Sequence, residues 1–137
     1  MARPFHFAFK VKDLVSTRLF YMQVMGCVEG RSTDTWVDFD LYGNQLSAHV
    51  GIIEPLDYCG CVDGVKVPIP HFGCVLTKPQ FDALQGRFEV ANIEFIVQPQ
   101  QRYEGQVGQQ RIMFVLDYSG NPLEFKCMTN DEELFLA

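Results

Sequence analysis

Short stretches of the chain alternate hydrophobic and polar residues, and a period of two residues predicts half-buried β-strands. In residues 4–11 the rings of Phe7 and Phe9 point one way, and His6 points the other way. One face of such a strand packs against a core, and the other face is free for solvent or a cavity. The same alternation predicts further strands at residues 27–31, 35–41, 45–50, 71–76, 93–101, 110–117 and 121–128.

Two intervening segments have the period of an amphipathic helix instead. Asp13 is a candidate N-cap of the first helix, and Gly26 is a candidate stop. The second helix begins at Thr77, with Pro79 in its first turn and Gln80 where it completes a capping box. The predicted buried faces carry Leu19, Phe20 and Val24 in the first helix, and Phe81, Leu84, Phe88 and Ala91 in the second.

Two short motifs occur twice, which indicates a duplicated structural unit. His6-Phe7-Ala8 recurs as His71-Phe72-Gly73, and a D-x-x-G-N-x-L segment occupies both 40–46 and 117–123. Each copy reads as a β-α-β-β-β unit, so we predict an α+β protein made of two βαβββ modules. The predicted single domain, 1–137, comprises module one at 3–51, a linker at 52–69, module two at 70–128, and a tail at 129–137 that forms one short helical turn.

The polar faces of four predicted strands carry residues that can bind metals or transfer protons. They are His6, Ser47 and His49 in the first module, and His71 and Glu124 in the second. Ionisable groups that face a cavity need partners or a metal, because leaving them unpaired away from water is unfavourable by several kcal/mol. The pattern therefore predicts one polar site that both modules build.

Composition and charge exclude several functions. The formal net charge of −6, with no cluster of Lys or Arg, argues against nucleic acid and anionic membranes as partners. No apolar run approaches the roughly 18 residues of a spanning helix, and the first residues lack the apolar stretch of a signal peptide. The five cysteines are an odd number without framework spacing, which favours reduced thiols and a cytoplasmic location.

Three segments, residues 6–21, 70–73 and 117–125, together resemble the vicinal oxygen chelate superfamily. This superfamily includes glyoxalase I, bleomycin- and fosfomycin-resistance proteins, and extradiol ring-cleavage dioxygenases. Residues 36–40 and 43–49 are similar to a small predicted-dioxygenase subgroup. The resemblance implies that the mixed sheets of the two modules curl into a half-open barrel around a divalent metal, with the helices outside.

The superfamily's three metal positions carry over to His6, His71 and Glu124. Two histidines and one carboxylate favour Fe(II), while Mn(II), Zn(II), Ni(II) and Co(II) remain alternatives. Glyoxalase-like members use a further glutamate where this chain has Ser47, which argues against glyoxalase I activity. His49 lies two residues further on, either as a substitute fourth ligand or as an acid/base beside the substrate.

The resemblance implies a divalent-metal-dependent enzyme, foremost an extradiol-dioxygenase-like oxidoreductase whose small substrate chelates the metal through vicinal oxygens. The alternatives are a glyoxalase-like lyase or isomerase, and a metal-free protein that binds a small molecule, as resistance proteins do. The superfamily also implies a homodimer, with the metal site either within one chain or shared between two. The candidate substrate contacts are Ser47, Arg102, Tyr103 and Met113, and the loops expected to cover the site are 51–69 and 102–109.

Overall fold

The computed structural model, which describes residues 2–137, confirms two βαβββ modules, each built around a four-stranded mixed sheet. The chain divides into two compact units, and the first comprises the described residues up to Pro55 together with Asp117–Asn121. In its sheet the order is β1-β4-β3-β2, with β1 parallel to β4 and the other pairs antiparallel. Its elements are β1 (His6–Val11), α1 (Leu14–Arg18), a π-helical continuation (Leu19–Val24), β2 (Val28–Ser32), β3 (Trp36–Leu41) and β4 (Asn44–Val50).

The second unit comprises Leu56–Leu116 and Pro122–Ala137. Its main sheet has the order β7-β10-β9-β8, in which β7 and β10 are parallel, as β1 and β4 are in the first unit. Its elements are β5 (Gly60–Val62), β6 (Val65–Val67), β7 (Val75–Leu76), α2 (Lys78–Val90), β8 (Phe95–Arg102), β9 (Gln110–Leu116), β10 (Pro122–Met128) and a single 3₁₀ turn, Asp131–Glu133.

The duplication extends to the register of the strands. Phe7 lies opposite Leu46 in the first sheet, and its repeat equivalent Phe72 lies opposite Leu123 in the second. Parallel pairing in the same register therefore makes Ser47 and Glu124 structural equivalents, as the sequence alignment of the two copies predicts.

Both predicted helix starts are confirmed. Asp13 accepts a hydrogen bond from the backbone N–H of Ser16 at 2.7 Å, and Thr77 and Gln80 form a complete capping box. The second helix buries Phe81, Leu84 and Phe88. Neither this helix nor the first, within residues 2–137, has the length and apolar character that crossing a membrane requires.

The segment predicted as a plain linker contains a β-hairpin. Its turn is Asp63-Gly64, with φ of 48° and 84°, and a two-residue turn with both φ values positive matches the twist of paired strands. Val62 and Val67 from the hairpin are buried in a cluster with residues of the main sheet, namely Val97, Ile112 and Phe114. Part of 52–69 is thus packed structure in the second unit.

Candidate active site

His71 and Glu124 form the centre of a polar site in the second unit. Glu124 lies on β10, and His71 lies just before the segment that pairs with it. The Nε2 atom of His71 is 3.3 Å from Oε1 of Glu124. Glu124 is only 8% exposed, so its carboxylate is held away from water.

The other ring nitrogen of His71 fixes the orientation of the imidazole. Nδ1 lies 2.8 Å from the carbonyl oxygen of Pro68, and because a carbonyl only accepts hydrogen bonds, Nδ1 carries a proton. The edge of the ring also packs against Phe114, with 4.6 Å between the ring centroids. Metal-binding histidines in proteins characteristically donate this second N–H to a carbonyl or carboxylate, which directs the lone pair of the other nitrogen at the metal.

One atom in this site lacks a partner. Among the described residues, Oε2 of Glu124 is buried and forms no hydrogen bond. A buried carboxylate oxygen without a donor is unfavourable unless a cation or proton compensates it. The hydrogen bond to Glu124, opposed by burial, raises the pKa of His71. A small cavity of about 180 Å³ opens at this pair and is lined in part by Gly73 and Lys126. The donor set and the orphaned oxygen fit two ligands of a divalent metal.

His6 in the first unit has a similar arrangement with a different acceptor. Its Nδ1 lies 2.7 Å from the side-chain oxygen of Gln45, which is directly across the parallel strand pair. The amide nitrogen of Gln45 donates to Asp38 at 3.2 Å, and the hydroxyl of Ser47 donates to the other oxygen of Asp38 at 2.6 Å. Sequence reasoning missed Gln45 and Asp38, although the alternation places Gln45 on the same face as Ser47.

A cavity of about 520 Å³ opens on this face of the first sheet. Its lining combines the indole ring of Trp36 with the guanidinium of Arg31 and the carboxylates of Asp38 and Asp40. Gln45, the partner of His6, also lines it. The cavity can therefore hold a small polar molecule against an aromatic surface in reach of the His6 network.

His49 lies at the other end of the same face. His49 on β4 pairs with Lys10 on β1, whereas His6 on β1 pairs with Gln45 on β4. The positions of His49 and His6 are therefore four residues apart along the strands, or about 13 Å. The ring of His49 stacks on Trp36, with 6.0 Å between centroids. The spacing argues against a fourth ligand beside His6, and the acid/base role of His49 stays a prediction.

The remaining candidate substrate contacts have different surroundings. Arg102 forms an ion pair with Asp63, at 3.2 Å between Nε and Oδ2, and its guanidinium lies 4.7 Å from the ring centre of Tyr103. Met113 has no accessible surface and pairs with Phe125, whose side chain is on the face of β10 opposite Glu124. Met113 is thus a core residue, because strand alternation turns it away from the site.

The structure brings together two members of the predicted triad. His71 and Glu124 are in contact in the second unit, and His6 belongs to the first. Within residues 2–137 of one chain, no group of three or more His, Cys, Asp or Glu side chains is placed to hold a metal ion.

No protein-family model matches the chain, and no curated protein matches it significantly. Solved structures do match. A glyoxalase/bleomycin resistance protein/dioxygenase from Alicyclobacillus acidocaldarius is 28% identical, with 96% of each chain covered and a TM-score of 0.81. Two further structures share the fold at 18% identity. They are the fosfomycin resistance protein FosX from Listeria monocytogenes, with 98% of each chain covered and a TM-score of 0.66, and a glyoxalase/dioxygenase from Nostoc punctiforme, with 91% of this chain and 90% of that chain covered and a TM-score of 0.68.

The two βαβββ modules are matched as a whole, because the Alicyclobacillus acidocaldarius structure covers 96% of this chain. The chain has the fold of the vicinal oxygen chelate superfamily of glyoxalases, bleomycin-resistance proteins and dioxygenases, and its similarity to the Alicyclobacillus acidocaldarius protein supports membership of that superfamily.

Proposed function

We propose that this protein is a divalent-metal-dependent enzyme in which His6, His71 and Glu124 hold the metal. The observation that carries the proposal is the buried, unpartnered Oε2 of Glu124 beside the correctly oriented Nε2 of His71. Buried carboxylate oxygens in proteins generally have a hydrogen-bond partner, and a bound cation would supply one to this oxygen. The similar arrangement of His6, whose Nδ1 also faces an acceptor oxygen, supports it as the third ligand.

The chemistry that fits best is oxidative cleavage of a small substrate with vicinal oxygens, as in extradiol dioxygenases. Two histidines and one carboxylate leave several coordination positions open, which is typical of Fe(II) oxygenases. A divalent ion bound there would supply Lewis-acid stabilisation of negative charge on a substrate oxygen. Ser47 occupies the position of the glyoxalase glutamate, which disfavours the lyase and isomerase alternative.

The chain's own residues would orient the substrate and move a proton. The indole of Trp36 offers a flat surface in the larger cavity for an aromatic ring. His49, stacked on that indole and exposed to solvent, is the candidate acid/base for a polar group of the substrate that lies on this face away from the His6 position. Phe114 shields the imidazole of His71 from water on one side.

Metal content of protein purified without oxygen tests the proposal. We expect close to one iron or manganese ion per chain in the wild type and a large loss in Glu124→Gln. The matched control is Glu89→Gln, the same chemical change at an exposed position of α2. Iron would then justify measuring oxygen uptake with a set of catechols.

The competing function is a metal-free protein that binds a small molecule, and the larger cavity with its indole wall favours this second candidate. The melting temperature separates the two functions, because a bound metal stabilises the folded state by mass action. A fall in melting temperature with EDTA in the wild type, absent in Glu124→Gln, supports the enzyme. A wild type that takes up no metal after reconstitution and melts unchanged in EDTA supports the binder.

A further inference from the structure

We infer that Asp38 is a positioning residue, which sets the tautomer of His6 through the amide of Gln45. The inference rests on the proposed metal site, because the tautomer matters only if Nε2 of His6 is to bind a metal. The chain of contacts is continuous in the first unit. It runs from Ser47 to Asp38 at 2.6 Å, from Asp38 to Gln45 at 3.2 Å, and from Gln45 to His6 at 2.7 Å.

The direction of every hydrogen bond in this chain follows from the carboxylate. An ionised Asp38 can only accept, so the hydroxyl of Ser47 and the amide NH₂ of Gln45 must both donate to it. Gln45 is then left with its oxygen facing Nδ1 of His6, and an oxygen requires a proton on Nδ1. A neutral imidazole with its proton on Nδ1 has its lone pair on Nε2, which makes Nε2 the available metal ligand.

The second module reaches the same tautomer by another route. The repeat equivalent of Gln45 is Pro122, which has no side-chain acceptor. His71 instead directs Nδ1 at the carbonyl oxygen of Pro68. A backbone carbonyl oxygen can only accept hydrogen bonds, so it always requires a proton on the facing nitrogen. The side-chain amide of Gln45 can rotate to exchange its oxygen and its NH₂ group, and the hydrogen bond to Asp38 fixes which of them faces His6.

Asp38→Asn should therefore reverse the chain of hydrogen bonds. The hydroxyl of Ser47 would still donate to the oxygen of residue 38, and the new NH₂ group would face Gln45. The amide of Gln45 would rotate to present its oxygen to residue 38 and its NH₂ to His6. Nδ1 of His6 would then accept, and the ring proton would move to Nε2, where it blocks metal binding.

Exchanging the two side-chain types should restore the native tautomer. In Asp38→Asn/Gln45→Glu, the new amide at 38 donates to a carboxylate at 45. That carboxylate can only accept, so Nδ1 of His6 again carries the proton. The double variant keeps the net charge of the wild type and separates the effect of bond direction from that of charge.

Asp40→Asn is the matched control. Asp40 lies two residues after Asp38 on the same strand, and its replacement by asparagine removes one negative charge, as Asp38→Asn does. Its Oδ1 accepts the backbone N–H of Gly43 at 2.7 Å, which an asparagine oxygen can also do. Asp40 lies directly across the β3–β4 pair from Gln45, but among the described residues no side-chain hydrogen bond joins it to Gln45 or His6.

Long-range ¹H–¹⁵N spectra of the metal-free protein at about pH 8.5, where imidazoles are generally neutral, report the tautomer of His6 directly. We expect a proton on Nδ1 in the wild type, in Asp40→Asn and in the double variant, and on Nε2 in Asp38→Asn. Titration with Co²⁺ should show affinity about 10- to 100-fold weaker in Asp38→Asn and largely recovered in the double variant.

An unchanged His6 tautomer in a folded Asp38→Asn would overturn the inference, and so would failure of the double variant to restore it. The spectra are recorded without metal, so they remain decisive if the wild type binds no Co²⁺. That last outcome would contradict the proposed function and leave the role of Asp38 in fixing the tautomer intact.

Discussion

The hydroxyl of Tyr21 donates to Asp117 at 2.7 Å in the interior of the first unit. Asp117 is the first residue of the second D-x-x-G-N motif, and it also accepts the backbone N–H groups of Ser119 and Asn121, each at 2.8 Å. Burial raises the pKa of Asp117, against the effect of these donors. One aspartate thus organises the whole turn, and Tyr21 compensates part of its buried charge.

Tyr21→Phe should lower the free energy of unfolding by about 1–3 kcal/mol, because it removes a hydrogen bond to a buried charged group. Tyr118→Phe is the control. Tyr118 is 39% exposed, and its ring contact with Phe20, at 5.3 Å between centroids, survives loss of the hydroxyl. Urea unfolding compares the two variants, and equal stabilities would show that the buried hydrogen bond contributes nothing.

The raised pKa of His71 predicts how the metal-free protein responds to pH. A group whose pKa is higher in the folded chain contributes stability that is fully present below its unfolded value, about 6.5 for histidine, and is lost as the pH rises through the folded value. In EDTA, the wild type should therefore lose stability relative to Glu124→Gln as the pH rises from about 6.5 through the raised folded-state pKa of His71.

Nuclear magnetic resonance titration of the three histidines checks the cause of this pH response. The pKa of His71 should fall in Glu124→Gln, because its rise is due mainly to the hydrogen bond to that carboxylate. Glu89→Gln should leave it in place. An unchanged pKa of His71 in Glu124→Gln would mean that another group raises this pKa.

At the scale of the elements, alternation predicted β1 and β3 because buried residues recur at every second position of these strands, whereas β9 and β10 are buried on both faces. The hairpin of Gly60–Val62 and Val65–Val67 escaped the same reasoning, since three residues are too few to establish a period. The Asp63-Gly64 turn between two valines was the available signal. Stretches rich in Pro and Gly around it favoured the interpretation as a linker.

The residues of the candidate site also differ in whether the sequence could predict them. The repeat, the alternation and the superfamily resemblance predicted His6, His71 and Glu124 as candidate ligands, because all three signals can be read along the chain, although His71 lies before β7 and not within a strand. Asp38 and Gln45 could not be assigned, since their role depends on the register between three strands. The pairing register of two strands can be predicted from a sequence only where a turn fixes it. A contact between residues that lie diagonally on neighbouring strands, such as Asp38 and Gln45, produces no periodic pattern along the chain.

The close approach of two chain segments in the second unit gives a prediction about Gly73. A Cβ atom added there would overlap the backbone carbonyl oxygen of Glu124. Gly73→Ala should lower the free energy of unfolding by about 1–3 kcal/mol and displace Glu124, because the backbone must move. The first module has Ala8 at the equivalent position, so the restriction belongs to the second copy alone.

Gly86→Ala is the matched control for this variant. Gly86 lies within α2, and an added Cβ meets nothing within 4 Å. Alanine should stabilise the helix by about 0.5–1 kcal/mol. Thermal unfolding of the two variants in EDTA should shift in opposite directions, and a Gly73→Ala protein as stable as the wild type would mean that the strands separate without strain.

At the scale of the whole molecule, the candidate ligands are divided between two units, His6 in the first and the pair of His71 and Glu124 in the second. A site made within one chain and a site shared in a homodimer use the same three residues. The two arrangements differ in which chain supplies each ligand, and a mixture of two variants can detect this difference. In a shared site, the residue from the first unit and the pair from the second belong to different chains.

Mixing two defective variants distinguishes these arrangements. His6→Ala and Glu124→Gln should each lose metal binding, and light scattering should show each as a homodimer. If the site is shared, a mixed dimer has one site with all three native ligands and one site that lacks both altered residues. Random re-association after mild denaturation would then restore roughly a quarter of all sites, since half of the dimers are mixed. Co²⁺ titration of the mixture measures this fraction. No recovery in a mixture that mass spectrometry shows to contain mixed dimers would place all three ligands in one chain, because no combination of the two defective chains could then complete a site.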